Sequence, residues 1–134
     1  MDLLLREVTV NVHRRSPGKI DAKMRTIREL LAGQKYSVDY YQREYKWRMQ
    51  EVEELLNDLT ERFQEYYENG DPRDAVAEYG RYFLGSIIVS DRGNQKFIID
   101  GQQRLTTLTL LLIYLRHQLQ DEEQKGQIAD LIFS

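Results

Sequence analysis

FIIDGQQRLTTLTLLLIYL, residues 97–115, decides how this chain folds. A β-prone run, Lys96 to Ile99, meets the turn pair Asp100-Gly101, and an apolar helical run follows over 104–119. The start of a helix offers N–H groups without helical partners and a partial positive charge, which together favour an anion. Gly101 removes the Cβ that would hold a phosphate away from the backbone. Arg104 adds a planar fork of donors suited to two phosphate oxygens. Gln102 and Gln103 carry amides able to hydrogen-bond phosphate, sugar or an attacking water. Asp100, at the strand's end, is placed to hold a magnesium ion through water or to orient a nucleophilic water. A plainer reading stands beside this one. Asp100 and Gln103 are spaced like a capping box, Asp-Gly is a common turn, and the motif then merely starts a core helix. Neither the P-loop nor the dinucleotide glycine fingerprint occurs in the chain.

Working outward, YFLGSIIVS (82–90) reads as a strand, and Asp91-Arg92-Gly93-Asn94 as the turn of a hairpin closing on Lys96–Ile99. Gly85 interrupts that strand, as a bulge or packing device, or as room for a nucleotide. Upstream, Met49, Val52, Leu55, Leu56, Leu59, Phe63, Tyr66 and Tyr67 mark a helix of about five turns. Glu51, Glu53, Glu54, Asp58, Glu61 and Glu65 line its other side, most simply as a solvated face. Asn69-Gly70-Asp71-Pro72 ends the helix, and 73–80 reads as a loop or a helical turn. YYQREYKW (40–47) has no clean period, while Tyr36–Val38 is a brief β-prone run. Ile20, Met24, Ile27, Leu30 and Leu31 recur at helical spacing, with Asp21 near the start and Gly33 just past the end, which predicts a short helix. DEEQKG (121–126) is a polar break before an apolar run, Ile128–Phe133. The fold class is α+β, a small sheet whose hairpin leads into a buried apolar helix. Three segments follow: 1–19 as an arm or short leading element, 20–120 as the domain, and 121–134 as the start of a further helical region.

Composition removes several function classes. The 134 residues contain no Cys and only two His, which excludes disulfides, thiolate zinc sites and cysteine nucleophiles. No protein metal centre is expected beyond Asp100 acting through water. The apolar run Leu105–Leu115 is far short of the roughly 20 residues needed to span a membrane. The N-terminus lacks the flanks of a secretory signal, and the cysteine usage suits a reducing cytoplasm, so a cytoplasmic protein is expected. Charge is unevenly spread: residues 1–48 hold 11 Lys/Arg against 6 Asp/Glu, whereas residues 49–80 hold 2 against 10. The basic third is a candidate face for nucleotide or nucleic acid, or simply neutralises the acidic segment across the fold. His13-Arg14-Arg15 is a short basic cluster, and His117 reads as a helix C-terminal residue. Tyr45 and Trp47 read as packing residues or as stacking partners for a base. No Ser/His/Asp triad and no His-Asn-His nuclease pattern is present.

YYQREYKW (40–47), YFLGSIIV (82–89) and IIDGQQRLTTLTLLL (98–112) occur in the order that resembles the N-terminal domain of GmrSD-type restriction systems, a phage-defence family related in fold to ParB and sulfiredoxin. The resemblance spans roughly residues 20–120. One departure shows: the family commonly reads Ile-Pro before Tyr-Gln-Arg, and here Val38-Asp39 lead into Tyr40 and Tyr41-Gln42-Arg43. The resemblance implies a ParB/sulfiredoxin-like domain that binds and hydrolyses a nucleoside triphosphate with Mg2+, regulating DNA cleavage by a C-terminal nuclease region that this sequence lacks. It places Gly101 and Arg104 on the phosphates and makes Asp100, Gln102, Gln103 and Arg104 the catalytic candidates. Gln42, Arg43 and Gly85 join Gly101 and Arg104 as nucleotide-binding candidates; the plainer reading of Arg43 is a surface residue or an ion pair with the acidic helix. A non-catalytic ParB-like module that binds DNA or protein is the alternative.

Overall fold

The computed structural model describes residues 7–13, 20–38 and 44–132. Five strands form one mixed sheet in the order β2-β1-β4-β5-β3: β1 Glu7–His13, β2 Ile20–Arg25, β3 Tyr36–Val38, β4 Phe83–Arg92 and β5 Gln95–Asp100. Four α-helices accompany it: α1 Ile27–Leu31, α2 Met49–Tyr66, α3 Gln102–Gln118 and α4 Glu122–Ile132. A 3-10 turn, Arg73–Glu78, lies in the stretch read as a loop or helical turn. The chain is therefore α+β, and the β4–β5 hairpin feeds directly into α3 as the sequence predicts.

The predicted helix from Ile20 to Leu31 is not observed as one element. Ile20–Arg25 pairs antiparallel with β1, and only Ile27–Leu31 is helical. Thr26 sets the boundary through a capping box: its Oγ1 accepts the N–H of Glu29 at 3.1 Å, and Glu29 Oε2 accepts the N–H of Thr26 at 2.8 Å. Met24, counted as an apolar helical position, is 58% exposed in the strand, while Ile27, Leu30 and Leu31 are buried. β1 runs parallel to β4 and occupies a position inside the sheet, where the sequence offered only a leading segment; Arg14 and Arg15 lie outside the described residues.

Register in β4 explains its burial. A strict period of two from Ile87 and Val89 would bring Gly85 to the core, yet Leu84 is the buried residue. Opposite Glu7 and Val8 stand Phe83 and Gly85, so Leu84 is the extra residue of a bulge, which turns its side chain onto the core face. Leu84, Ile87 and Val89 then join Ile98 of β5, Leu105, Leu108 and Leu112 of α3, Leu55 and Leu59 of α2, and the α1 trio in one cluster. α4 adds Leu131 to that cluster. It begins where the sequence showed a polar break, because Asp121 Oδ1 accepts the N–H of Gln124 at 2.8 Å and caps the helix. Residues Glu122 to Gly126, read as the break, are its first turns.

Leu108 is fully buried, whereas Leu110 on the opposite side of α3 is 54% exposed. Leu108→Ala is expected to lower the unfolding free energy by about 2–5 kcal/mol. Leu110→Ala should stay within about 0.5 kcal/mol of wild type. Urea unfolding of the two variants side by side checks both.

Candidate functional site

β5 ends at Asp100, and Gly101 turns the chain into α3 with φ +86°. A Cβ on Gly101 would lie 2.8 Å from the carbonyl oxygen of Ser86 and 2.9 Å from Ile87 Cγ1. The glycine is thus required by contact with β4 as well as by its left-handed backbone. Gly101 is the N-cap of α3 and makes no side-chain capping bond. The capping-box alternative is not what forms. Asp100 Oδ1 accepts the N–H of Gly101 at 2.9 Å, and the Gln103 amide points away to another segment.

Gln103 Oε1 accepts the N–H of Lys46 at 2.7 Å and that of Trp47 at 3.1 Å, and Nε2 donates to the carbonyl of Glu44 at 3.0 Å. One turn along α3, the Thr107 hydroxyl donates to the Gln103 carbonyl and pairs with the Tyr45 hydroxyl, each at 2.8 Å. Tyr45 and Trp47, left open between packing and stacking, are both tied to α3 in this way. Trp47 also packs against the core while lining the cleft below. Gln42 and Arg43 lie outside the described residues.

Asp100, Gly101, Gln102, Gln103 and Arg104, with Trp47 and Ile99, line one cleft of about 340 Å3. The structure thereby sets Asp100 to Arg104 around one cleft, while Gly85 lies outside its lining. Arg104 crosses over Gly85: a Cβ there would lie 2.8 Å from Arg104 Cζ, and Gly85 has φ +116°. Gly85 leaves the space that the guanidinium fills. The contact from Arg104 to the Ser86 carbonyl is long, 3.5 Å, and so holds the guanidinium only weakly.

Sequence reasoning missed the other side of Arg104. With Trp47 it lines a second cleft of about 230 Å3, together with Glu51, Glu54, Asp58 and Tyr82. These three acids, read as part of a solvated face, recur at i, i+3 and i+7 and so share one side of α2. That spacing was legible; what lay opposite was not. Asp58 Oδ2 accepts the Tyr82 hydroxyl at 2.8 Å, and Glu51 accepts the N–H of Arg48 at 3.0 Å. Burial first, and then the bond to Asp58, push the Tyr82 phenol up to about 12. Away from the motif, an apolar cavity of about 210 Å3 lies between α1, α3 and α4. His117 sits exposed in the last turn of α3, as its sequence position implied. Among the described residues there is no group of three His, Cys, Asp or Glu side chains able to hold a metal ion, and no helix long and apolar enough to cross a membrane.

A strand, a glycine turn and a helix start that presents an arginine to a cleft define an α+β domain with its motif residues at the open end of α3. The chain belongs to the family described as the GmrSD restriction endonuclease, N-terminal domain, whose model matches residues 27–132. It is thus a domain of a restriction system. Among curated proteins and among solved structures, no match to the chain was found.

Two checks follow from this geometry. Gly85→Ala and Gly101→Ala should each cost more than about 1 kcal/mol, because alanine disfavours positive φ, and at Gly101 its methyl would also press on the backbone of β4. Tyr82 supplies a pH signature. Its phenol is raised from 10.0 to about 12 in the folded state, so its stabilising contribution is complete below pH 10 and is lost as pH rises through about 12. Across that window, wild type should lose stability more steeply than Tyr82→Phe in parallel denaturant titrations.

Proposed function

We propose that this chain is the nucleotide-responsive regulatory domain of a DNA-targeting restriction protein, binding and hydrolysing a nucleoside triphosphate at the start of α3. The observation that carries the reading is convergence. The N-terminus of a helix of 17 residues, Arg104 and Asp100 all border one cleft of about 340 Å3, within a chain of a restriction family. Arg104 forks onto phosphate oxygens, and the first-turn N–H groups of α3 face the same charge. Gln102 is placed to bond a phosphate or sugar oxygen, and Asp100 to orient the attacking water. Phosphoryl transfer asks for this kind of positioning and charge stabilisation rather than covalent chemistry.

One exposed carboxylate beside a phosphate cleft fits magnesium, which keeps most of its waters and takes the remaining ligands from substrate phosphates. The bound ion would neutralise charge on those phosphates, with Asp100 holding one of its waters. A ParB/sulfiredoxin-like relationship is supported by the Gly-x-x-Arg spacing of Gly101 and Arg104 at a helix start. DNA is the proposed target of the whole system, with cleavage assigned to a nuclease region outside this sequence.

Magnesium ATP or GTP is expected to raise the melting temperature, by several degrees when the nucleotide reaches about 100 times its Kd. Arg104→Ala should abolish the shift, and Asp100→Ala should retain binding while cutting turnover about tenfold or more. No shift with either nucleotide at millimolar concentration would remove the enzymatic reading. Binding to DNA with a steep salt dependence would then favour the non-catalytic module.

A further inference from the structure

We propose that Gln103 is a positioning residue: it builds one wall of the cleft by holding Trp47 and the backbone of residues 44–47 against the first turn of α3. This rests on the nucleotide reading of that cleft. The inventory of the amide carries the inference. An amide oxygen has two lone pairs, and on Gln103 Oε1 one accepts from Lys46 and the other from Trp47. The amide nitrogen donates to Glu44. An oxygen engaged twice over has no lone pair left to polarise a water, which argues against direct catalysis by that atom.

The segment being held needs such a partner. Glu44 to Arg48 belongs to no helix or strand, so its backbone groups have no ladder to enter. Gln103 satisfies three of them at once across more than 50 residues of chain. The Tyr45–Thr107 pair adds a second tie one turn further along α3. Trp47, whose N–H Gln103 holds and which lies two residues from the tied Tyr45, stands between the two clefts that Arg104 also borders. Gln103 thereby sets the distance between an aromatic wall and the guanidinium, and with it the width offered to a nucleotide.

Trp47 is the only tryptophan of the chain, so fluorescence excited at the red edge, where the nine tyrosines do not absorb, reports on this wall. Gln103→Met keeps the length of the side chain and removes all three bonds. Amide exchange at Lys46 and Trp47 should then accelerate about tenfold or more, as expected for loss of bonds of this kind. The fluorescence response to magnesium ATP and magnesium GTP should weaken, KM should rise about tenfold, and kcat should stay within about threefold. Gln103→Glu still accepts from both amides and should keep their exchange within about threefold of wild type. Tyr45→Phe, which cuts the neighbouring tie at a partly exposed residue, is the milder second variant and should move Trp47 and KM in the same direction by about threefold. Wild-type nucleotide affinity in Gln103→Met, with wild type itself binding, overturns the positioning role alone. So does a collapse of kcat at unchanged KM, which would make Gln103 catalytic. Failure of wild type to bind either nucleotide overturns the reading of the cleft and this inference with it.

Discussion

The approach of Gly101 to the backbone of β4 is the constraint on which the rest of the molecule depends. A side chain at that point would press into the Ser86 carbonyl and the body of Ile87. With hydrogen in its place, β5 turns into α3 without an intervening loop. Leu105, Leu108 and Leu112 then join Ile87, Val89 and Ile98 in the common core. The same turn leaves Asp100, Gln102, Gln103 and Arg104 at the open end of the helix, so core packing and site geometry share one cause.

Gly85 repeats the device one strand away. Its positive φ belongs to the bulge that turns Leu84 inward, and its missing Cβ leaves the slot in which the Arg104 guanidinium lies. The irregularity at Leu84 and Gly85 therefore serves both the core and the seat of Arg104. Arg104, supported from one side by bare backbone, borders two clefts of different character. One is formed by the helix start, and the other by the acids of α2 and Tyr82.

Much of this was legible in the residues. The hairpin, the glycine turn, α2 and α3 followed from β-branched runs, turn pairs and helical spacing, and residues 97–115 identified the cleft. The failures have physical causes. Ile20 and Met24 mimic helical spacing, but pairing with β1 claims that segment, while the Thr26–Glu29 capping box, also present in the sequence, marks the true start. β1 itself is a short run that pairs with nearby β2 and also with β4, Glu7 standing opposite Phe83, and no local signal announces that second pairing. Gln103 was read for its chemistry toward a ligand; its three bonds to residues 44–47 depend on tertiary approach, which no spacing encodes. The acids of α2 shared a side by periodicity, yet only the fold sets Tyr82 and Arg104 opposite them.

The parallel pairing of β1 with β4 bears on where this domain can be cut. The family match begins at residue 27, after β1 and β2 have already supplied two of the five strands. A fragment trimmed to the matched span would leave β4, a strand of 10 residues, with one side of its backbone unpaired. Long bare edges of that kind recruit other strands and promote aggregation. The matched span and the sheet thus have different borders, and expression boundaries belong upstream of Glu7.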